Sequence, residues 1–269
     1  MSELGHAQLA KTSRLESLAI QRRVISALVL REILTRYGRH NIGFLWLFIE
    51  PMMFSVGITI LWTYMQIAKG SMPVAGFALT GYSAIVLWRN TVNKMTGAAA
   101  SNKGLLYHQQ VKILDIVLAR SLLEFASVTT SLVILTIVFQ QLRLIELPVD
   151  PLTAVIGWLY LMWFVCGVGM IAAYLGAVSE LFDRIWHIAL YLSLPFTGAF
   201  SMVAWLPPGA QHILLFSPLV NAVEMLRDGY FGVGVKAIYS VQYMVEVNTG
   251  LTLLGLLLVR KIRRGLDDE

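Results

Sequence analysis

Long apolar runs, each about the length of a bilayer crossing, alternate with short polar segments along this chain. A helix needs about 20 apolar residues to cross about 30 Å of hydrocarbon. On that ruler the pattern predicts spans at about 44–66, 74–92, 114–139, 152–177, 186–206 and 237–259. Ahead of them, residues 15–37 place Leu18, Val24, Leu28 and Ile33 among Arg22, Arg23, Arg31 and Arg36. A basic amphipathic helix of this kind lies in the membrane interface, its arginines toward anionic headgroups; docking on a soluble partner is the other reading. Residues 210–235 are apolar enough to dip into a membrane and too interrupted to cross it. Unpaired backbone cannot face lipid, so this stretch is expected to form a hairpin of short helices packed on the protein. The expected fold is an all-α polytopic membrane protein. Residues 1–43 form a tail and interface helix, 44–259 a transmembrane domain with a re-entrant hairpin before the last span, and 260–269 a tail.

Individual residues sharpen the spans. The first carries Trp46 near one end and Trp62 and Tyr64 near the other, as interfacial aromatic belts do. Pro51 lacks an N–H and is expected to kink it. Glu50 is out of place, since a carboxylate inside a span usually faces protein or a water-filled cavity. The second span ends at Trp88, Arg89 and Asn90. The third opens with Asp115, Arg120 and Glu124, the last two at a spacing that lets them pair. Gly169, Ala173 and Gly176 in the fourth permit close helix approach. Pro195 breaks the fifth, and Pro207-Pro208-Gly209 stops it.

Composition agrees: 57% of residues are hydrophobic and 14% charged, against about 25% charged in soluble domains. The net charge of +5 does not mark a nucleic-acid module, because the basic residues lie between apolar runs. Fifteen Lys and Arg fall on one side of the predicted topology: seven before the first span, then Lys94, Lys103, Lys112, Arg184 and the four from Arg260 to Arg264. Four fall on the other: Lys69, Arg143, Arg227 and Lys236. The positive-inside rule places the richer side, with both termini, in the cytoplasm. No cleavable apolar leader is apparent in the first forty residues.

Catalytic chemistry is not legible. The sequence holds no G-x-x-x-x-G-K-[ST], and Gly232, Gly234 and Lys236 have the wrong spacing for one. There is no H-E-x-x-H and no Ser/His/Asp elbow. The single Cys166 excludes an intrachain disulfide, and the five histidines are scattered. No metal site is expected. A conduit or scaffold fits better than an enzyme.

Three stretches carry a resemblance. "LREILTRYGRHNIGFLWLFIEPMM" (Leu30–Met53) joins a basic amphipathic helix through an Arg-Tyr turn to Gly-x-x-Trp and Glu-Pro. "NKGLLYHQQVKILDIVLARSLLE" (Asn102–Glu124) leads a cytoplasmic loop into the third span, and "FSPLVNAVEMLRDGYF" (Phe216–Phe231) contains Pro-Leu-x-x-x-x-Glu-x-x-Arg. In order, and with this topology, they resemble the permease subunit of polysaccharide-exporting ABC transporters of the type-2 family, most of all the capsule exporters. The resemblance implies a homodimer in the bacterial inner membrane and two copies of a separate ATPase that holds ATP and Mg. It also implies periplasmic and outer-membrane co-export proteins, and a lipid-anchored polysaccharide as cargo, commonly an acidic one. Export of O-antigen, of a drug or of a lipid are alternatives of the same class. A membrane-bound transferase is the alternative of another class.

The resemblance also directs attention to residues. It implies that the ATPase docks on Ser101–Gln110, with a smaller contact at Ser179–Arg184. In the first, Leu105, Leu106 and Tyr107 would be the apolar patch, and Ser101, Asn102, Lys103 and His108 its surroundings. In the second, Glu180, Asp183 and Arg184 would take part. A sugar path needs aromatic faces without tight pockets, and Phe44, Trp46, Phe48, Tyr191, Phe196 and Phe200 are candidates; packing or lipid contact is the alternative for each. Phe196 and Phe200 would share a helical face. Glu50, Arg89 and Arg120 are the candidate charges on the path, with snorkelling the alternative for the two arginines. Glu224 and Arg227, one turn apart, are expected to pair on the periplasmic side.

Overall fold

A computed structural model describes residues 14–37, 41–65, 72–102 and 111–267, and all elements among them are helical. The α-helices are α1 (Arg14–Tyr37), α2 (Asn41–Met65), α3 (Val74–Thr96), α4 (Ile113–Gln141), α5 (Pro151–Val178), α6 (Glu180–Leu192), α7 (Pro208–Leu215), α8 (Pro218–Phe231) and α9 (Val241–Asp267). Short 3-10 turns lie at Ala100–Asn102, Leu194–Thr197, Val203–Trp205 and Gly232–Gly234. Among the described residues four helices are long and apolar enough to cross a membrane: α2, α4, α5 and α9. The protein is an all-α membrane protein.

Local chemistry sets the helix ends. Asp150 caps α5 by accepting from the backbone N–H of Leu152 and Thr153, and Pro151 takes the first helical position, where its missing N–H costs nothing. The Thr153 hydroxyl also donates to Asp150, and these bonds hold the carboxyl below its ordinary range.

The stretch expected to be a fifth span is not one helix. The α-helix stops at Leu192, a 3-10 turn runs over Leu194–Thr197, and a second follows at Val203–Trp205. Pro195 cannot donate to the preceding turn and clashes with a helical residue before it. Gly198 then takes φ +72, a left-handed conformation that sends the chain in a new direction. Phe196 and Phe200 flank that reversal, so they share no helical face.

The core is built around α5, which packs against α3, α8 and α9. Small residues make this possible. A Cβ on Gly157 would lie 2.6 Å from the Leu226 backbone nitrogen, and one on Gly176 2.7 Å from the Thr96 side chain. A Cβ on Gly169 would meet the Met95 sulfur. Backbones therefore approach as the Gly169, Ala173, Gly176 spacing implied. Residues 75–88 of α3 are all buried, which makes it an inner helix. α8 is buried from Pro218 to Tyr230 except at Asp228.

α1 lies along α4. Leu28 is buried in a cluster with Met95, Ile116, Ala173 and Val259, and Val24 packs against it. Part of the face expected to enter lipid is thus docked on the bundle, while Ile20, Leu30 and Leu34 remain exposed.

Candidate functional site

Three of the odd residues of the sequence meet in one cleft. Glu50 from α2, Arg89, Asn90, Asn93 and Lys94 from α3, Glu124 from α4, and His187, Leu190 and Tyr191 from α6 line a cavity of about 220 Å³. The last turns of α3 run into the first half of α4, and the final turn of α6 closes one side. The Arg89 guanidinium lies 5.8 Å from the centre of the Tyr191 ring, within cation–π range. Tyr191 and Glu50 are exposed on the outer face.

The other path candidates are elsewhere. Trp46 is exposed on α2, and the Phe48 carbonyl accepts from the Ser131 hydroxyl at 3.0 Å. Phe200 packs tilted against Trp62 with ring centres 5.4 Å apart and planes at 50°, and Phe196 is exposed. The side chain of Phe44 lies outside the described residues.

Arg120 belongs to a second constellation. It is buried, donates to the Lys94 carbonyl at 2.7 Å and to the Ser101 hydroxyl at 2.8 Å, and faces Glu32 of α1 at 3.3 Å. Arg31 of α1 donates to the buried Asn102 side chain at 2.9 Å, and Gln21 donates to Asp115 at 3.1 Å. α1 is thereby tied to the turn Ala100–Asn102, which leads into the stretch expected to dock an ATPase. Lys103, Leu105, Leu106, Tyr107 and His108 in that stretch lie outside the described residues, as does the Glu180 side chain. Asp183 is half-buried and Arg184 exposed in the first turns of α6, capped by Ser179, whose hydroxyl accepts from the Phe182 N–H. Gly176 against Thr96 brings this junction to the same end of the bundle as Ala100–Asn102.

A third group was not foreseen in this form. Glu224 accepts from the backbone N–H of Val203 at 3.1 Å and of Ile238 at 3.0 Å. Arg227 donates to the carbonyls of Gly198 at 2.6 Å and Ala199 at 2.7 Å, and its guanidinium lies 3.9 Å from the centre of the Phe77 ring. Both side chains are fully buried. Their closest hydrogen-bond partners are backbone groups of the interrupted segment and its neighbours, so the two charges organise loops. Two charges on a helix otherwise fit for burial were the available sequence signal.

No family model matches the chain. Individual proteins do. Over 262 residues it is 40% identical to the capsule polysaccharide export inner-membrane protein CtrC of Neisseria meningitidis serogroup B, covering 97% of this chain and 99% of that one. It is 37% identical over 260 residues to the capsule polysaccharide export inner-membrane protein BexB of Haemophilus influenzae, covering 96% and 98%. It is 29% identical over 243 residues to the polysialic acid transport protein KpsM of Escherichia coli, covering 87% and 93%. With near-complete coverage in both directions and a fold of long apolar helices, the chain belongs to the family of capsule polysaccharide export inner-membrane proteins.

Proposed function

We propose that this chain is the permease subunit of an ABC transporter that exports capsule polysaccharide across the bacterial inner membrane. The observation that carries this reading is end-to-end similarity to capsule export inner-membrane proteins. The chain has no P-loop of its own, so ATP and Mg belong to a separate ATPase, two copies of which serve a homodimer of this chain. The cargo is an acidic, lipid-anchored polymer handed on to periplasmic and outer-membrane co-export proteins.

The finer topology forms part of the proposal. The chain crosses six times, by α2, α3, α4, α5, the interrupted segment 186–206 and α9, with both termini in the cytoplasm. α7 and α8 form a re-entrant hairpin on the periplasmic side. The fifteen-to-four split of basic residues supports this orientation. The burial of α8 supports a hairpin held in protein and not in lipid.

Deletion of the gene should leave polymer inside the cell and none on its surface, read by antibody or lectin staining of intact and lysed cells. Normal surface polymer in the deletion strain would refute the proposal.

A further inference from the structure

α4 ends at Gln141 in a Schellman turn. The Leu144 N–H donates to the Phe139 carbonyl and the Arg143 N–H to the Gln140 carbonyl, both at 2.9 Å. The left-handed position of such a turn usually falls to glycine. Here it falls to Arg143, at φ +57, the one non-glycine residue with positive φ among the described residues. An L side chain is held there at a cost in backbone energy. Arg143 lines a groove of about 800 Å³, with Glu146 and Leu147 of the α4–α5 loop on one side and Phe231 and Val235 on the other. The groove is preformed. The Val149 N–H donates to the Tyr230 carbonyl at 3.3 Å and the Asp150 N–H to the Gly229 carbonyl at 2.8 Å, so the loop is fastened to the end of α8.

Leu142, Leu144, Leu147 and Val149 are exposed on this loop, and exposed apolar side chains continue at Ile137 and Val138 of α4 and Leu152 and Val155 of α5. Both helices are fit to cross a membrane, and an apolar patch continuous with such spans meets lipid. Arg143 and Glu146 are exposed and are the only charges in the described lining. Among the described residues neither side chain has a hydrogen bond or an ion pair. We propose that the groove holds one phosphatidylethanolamine of the surrounding bilayer. Its phosphate diester takes the guanidinium fork of Arg143. Its primary ammonium donates to the Glu146 carboxylate and the Gln140 side-chain oxygen, and its acyl chains leave along Leu144 and Leu147. A headgroup of zero net charge thus meets a lining of zero net charge, sign against sign. Phosphatidylglycerol has no ammonium for Glu146. Phosphatidylcholine has one that cannot donate. An acidic sugar chain sets its charge against Glu146 and leaves the apolar rim bare. The inference uses the membrane location of the chain and not the identity of its cargo.

The test uses the full-length chain, stripped of lipid in detergent. It is offered equal amounts of phosphatidylethanolamine, phosphatidylglycerol and phosphatidylcholine with the same acyl chains, and bound lipid is counted by native mass spectrometry. The wild type should retain one phosphatidylethanolamine per chain, favoured about tenfold over either competitor, the size of one charge-assisted hydrogen bond. Arg143→Gly relieves the left-handed turn while removing the guanidinium. It should raise the unfolding midpoint of the lipid-free chain and abolish the preference, whereas a purely structural role for Arg143 would leave the preference in place. Glu146→Lys should move the preference to phosphatidylglycerol. Equal retention of the three lipids by the wild type overturns the site. So does a preference for phosphatidylethanolamine that survives both substitutions. A second copy of the chain or another protein seated in the groove would show as added protein mass, lost on these substitutions and indifferent to headgroup, and would overturn it as well.

Discussion

Arg227 and Glu224 are fully buried on a helix of fourteen residues. What keeps charges there is the backbone around them. Arg227 gathers carbonyls at 198 and 199, and Glu224 gathers amides at 203 and 238. Removing one member of such an arrangement leaves the other groups desolvated without a partner. Arg227→Met should therefore lower stability by about 3–5 kcal/mol, read as a reduced unfolding midpoint in detergent and less protein in the membrane. An unchanged midpoint would show that these carbonyls need no cation. The residues were visible in the sequence as a charged pair one turn apart. Their partners were not, because Thr80 lies 147 positions from Arg227 and Gly198 lies 29, and no local pattern reports contacts at such separations.

Helix packing depends on backbones touching where side chains are missing. At Gly157 even a methyl group would press on the backbone of Leu226 and Met225. Gly157→Leu should force α5 and α8 apart and destabilise the fold by at least about 1–3 kcal/mol. Limited proteolysis in membranes is the measurement, and wild-type resistance would mean the two helices have slack. α2, α4, α5 and α9 were legible because about 20 consecutive apolar residues dominate any other signal. The segment 186–206 was not: its hydropathy matches a span, Pro195 marks a break, and the left-handed turn at Gly198 converts a kink into a reversal. The cleft was half legible. Glu50 and Arg89 stood out as charges in or near the spans and Tyr191 as an aromatic side chain, but their meeting depends on how α6 lies against α3, which the sequence does not encode locally.

Across the whole molecule, Ala100–Asn102, which opens the first stretch expected to meet the ATPase, lies at the same end as the second at Ser179–Arg184, and α1 is bonded to it through Arg31 and Asn102 and through Glu32, Arg120 and Ser101. Force arriving at Ser101 and Asn102 would then reach α1, α3 and α4 together. A double change of Leu106→Asp and Tyr107→Asp should leave insertion intact while abolishing ATPase copurification and surface polymer. Wild-type levels of both, with normal expression, would rule out this stretch as the coupling element. At the opposite end Val233 is fully exposed. Val233→Cys in a Cys166→Ala background should react with a membrane-impermeant maleimide in intact spheroplasts, and reaction only after lysis would invert the proposed topology. The Arg227 arrangement also constrains how the protein is made. α3 and residues 198–201 leave the ribosome before Arg227 does, and until it arrives the carbonyls of Gly198 and Ala199 lack the cation that holds them. The interrupted segment is thus a late-fastened joint, and a nascent chain halted short of α8 carries it unfastened.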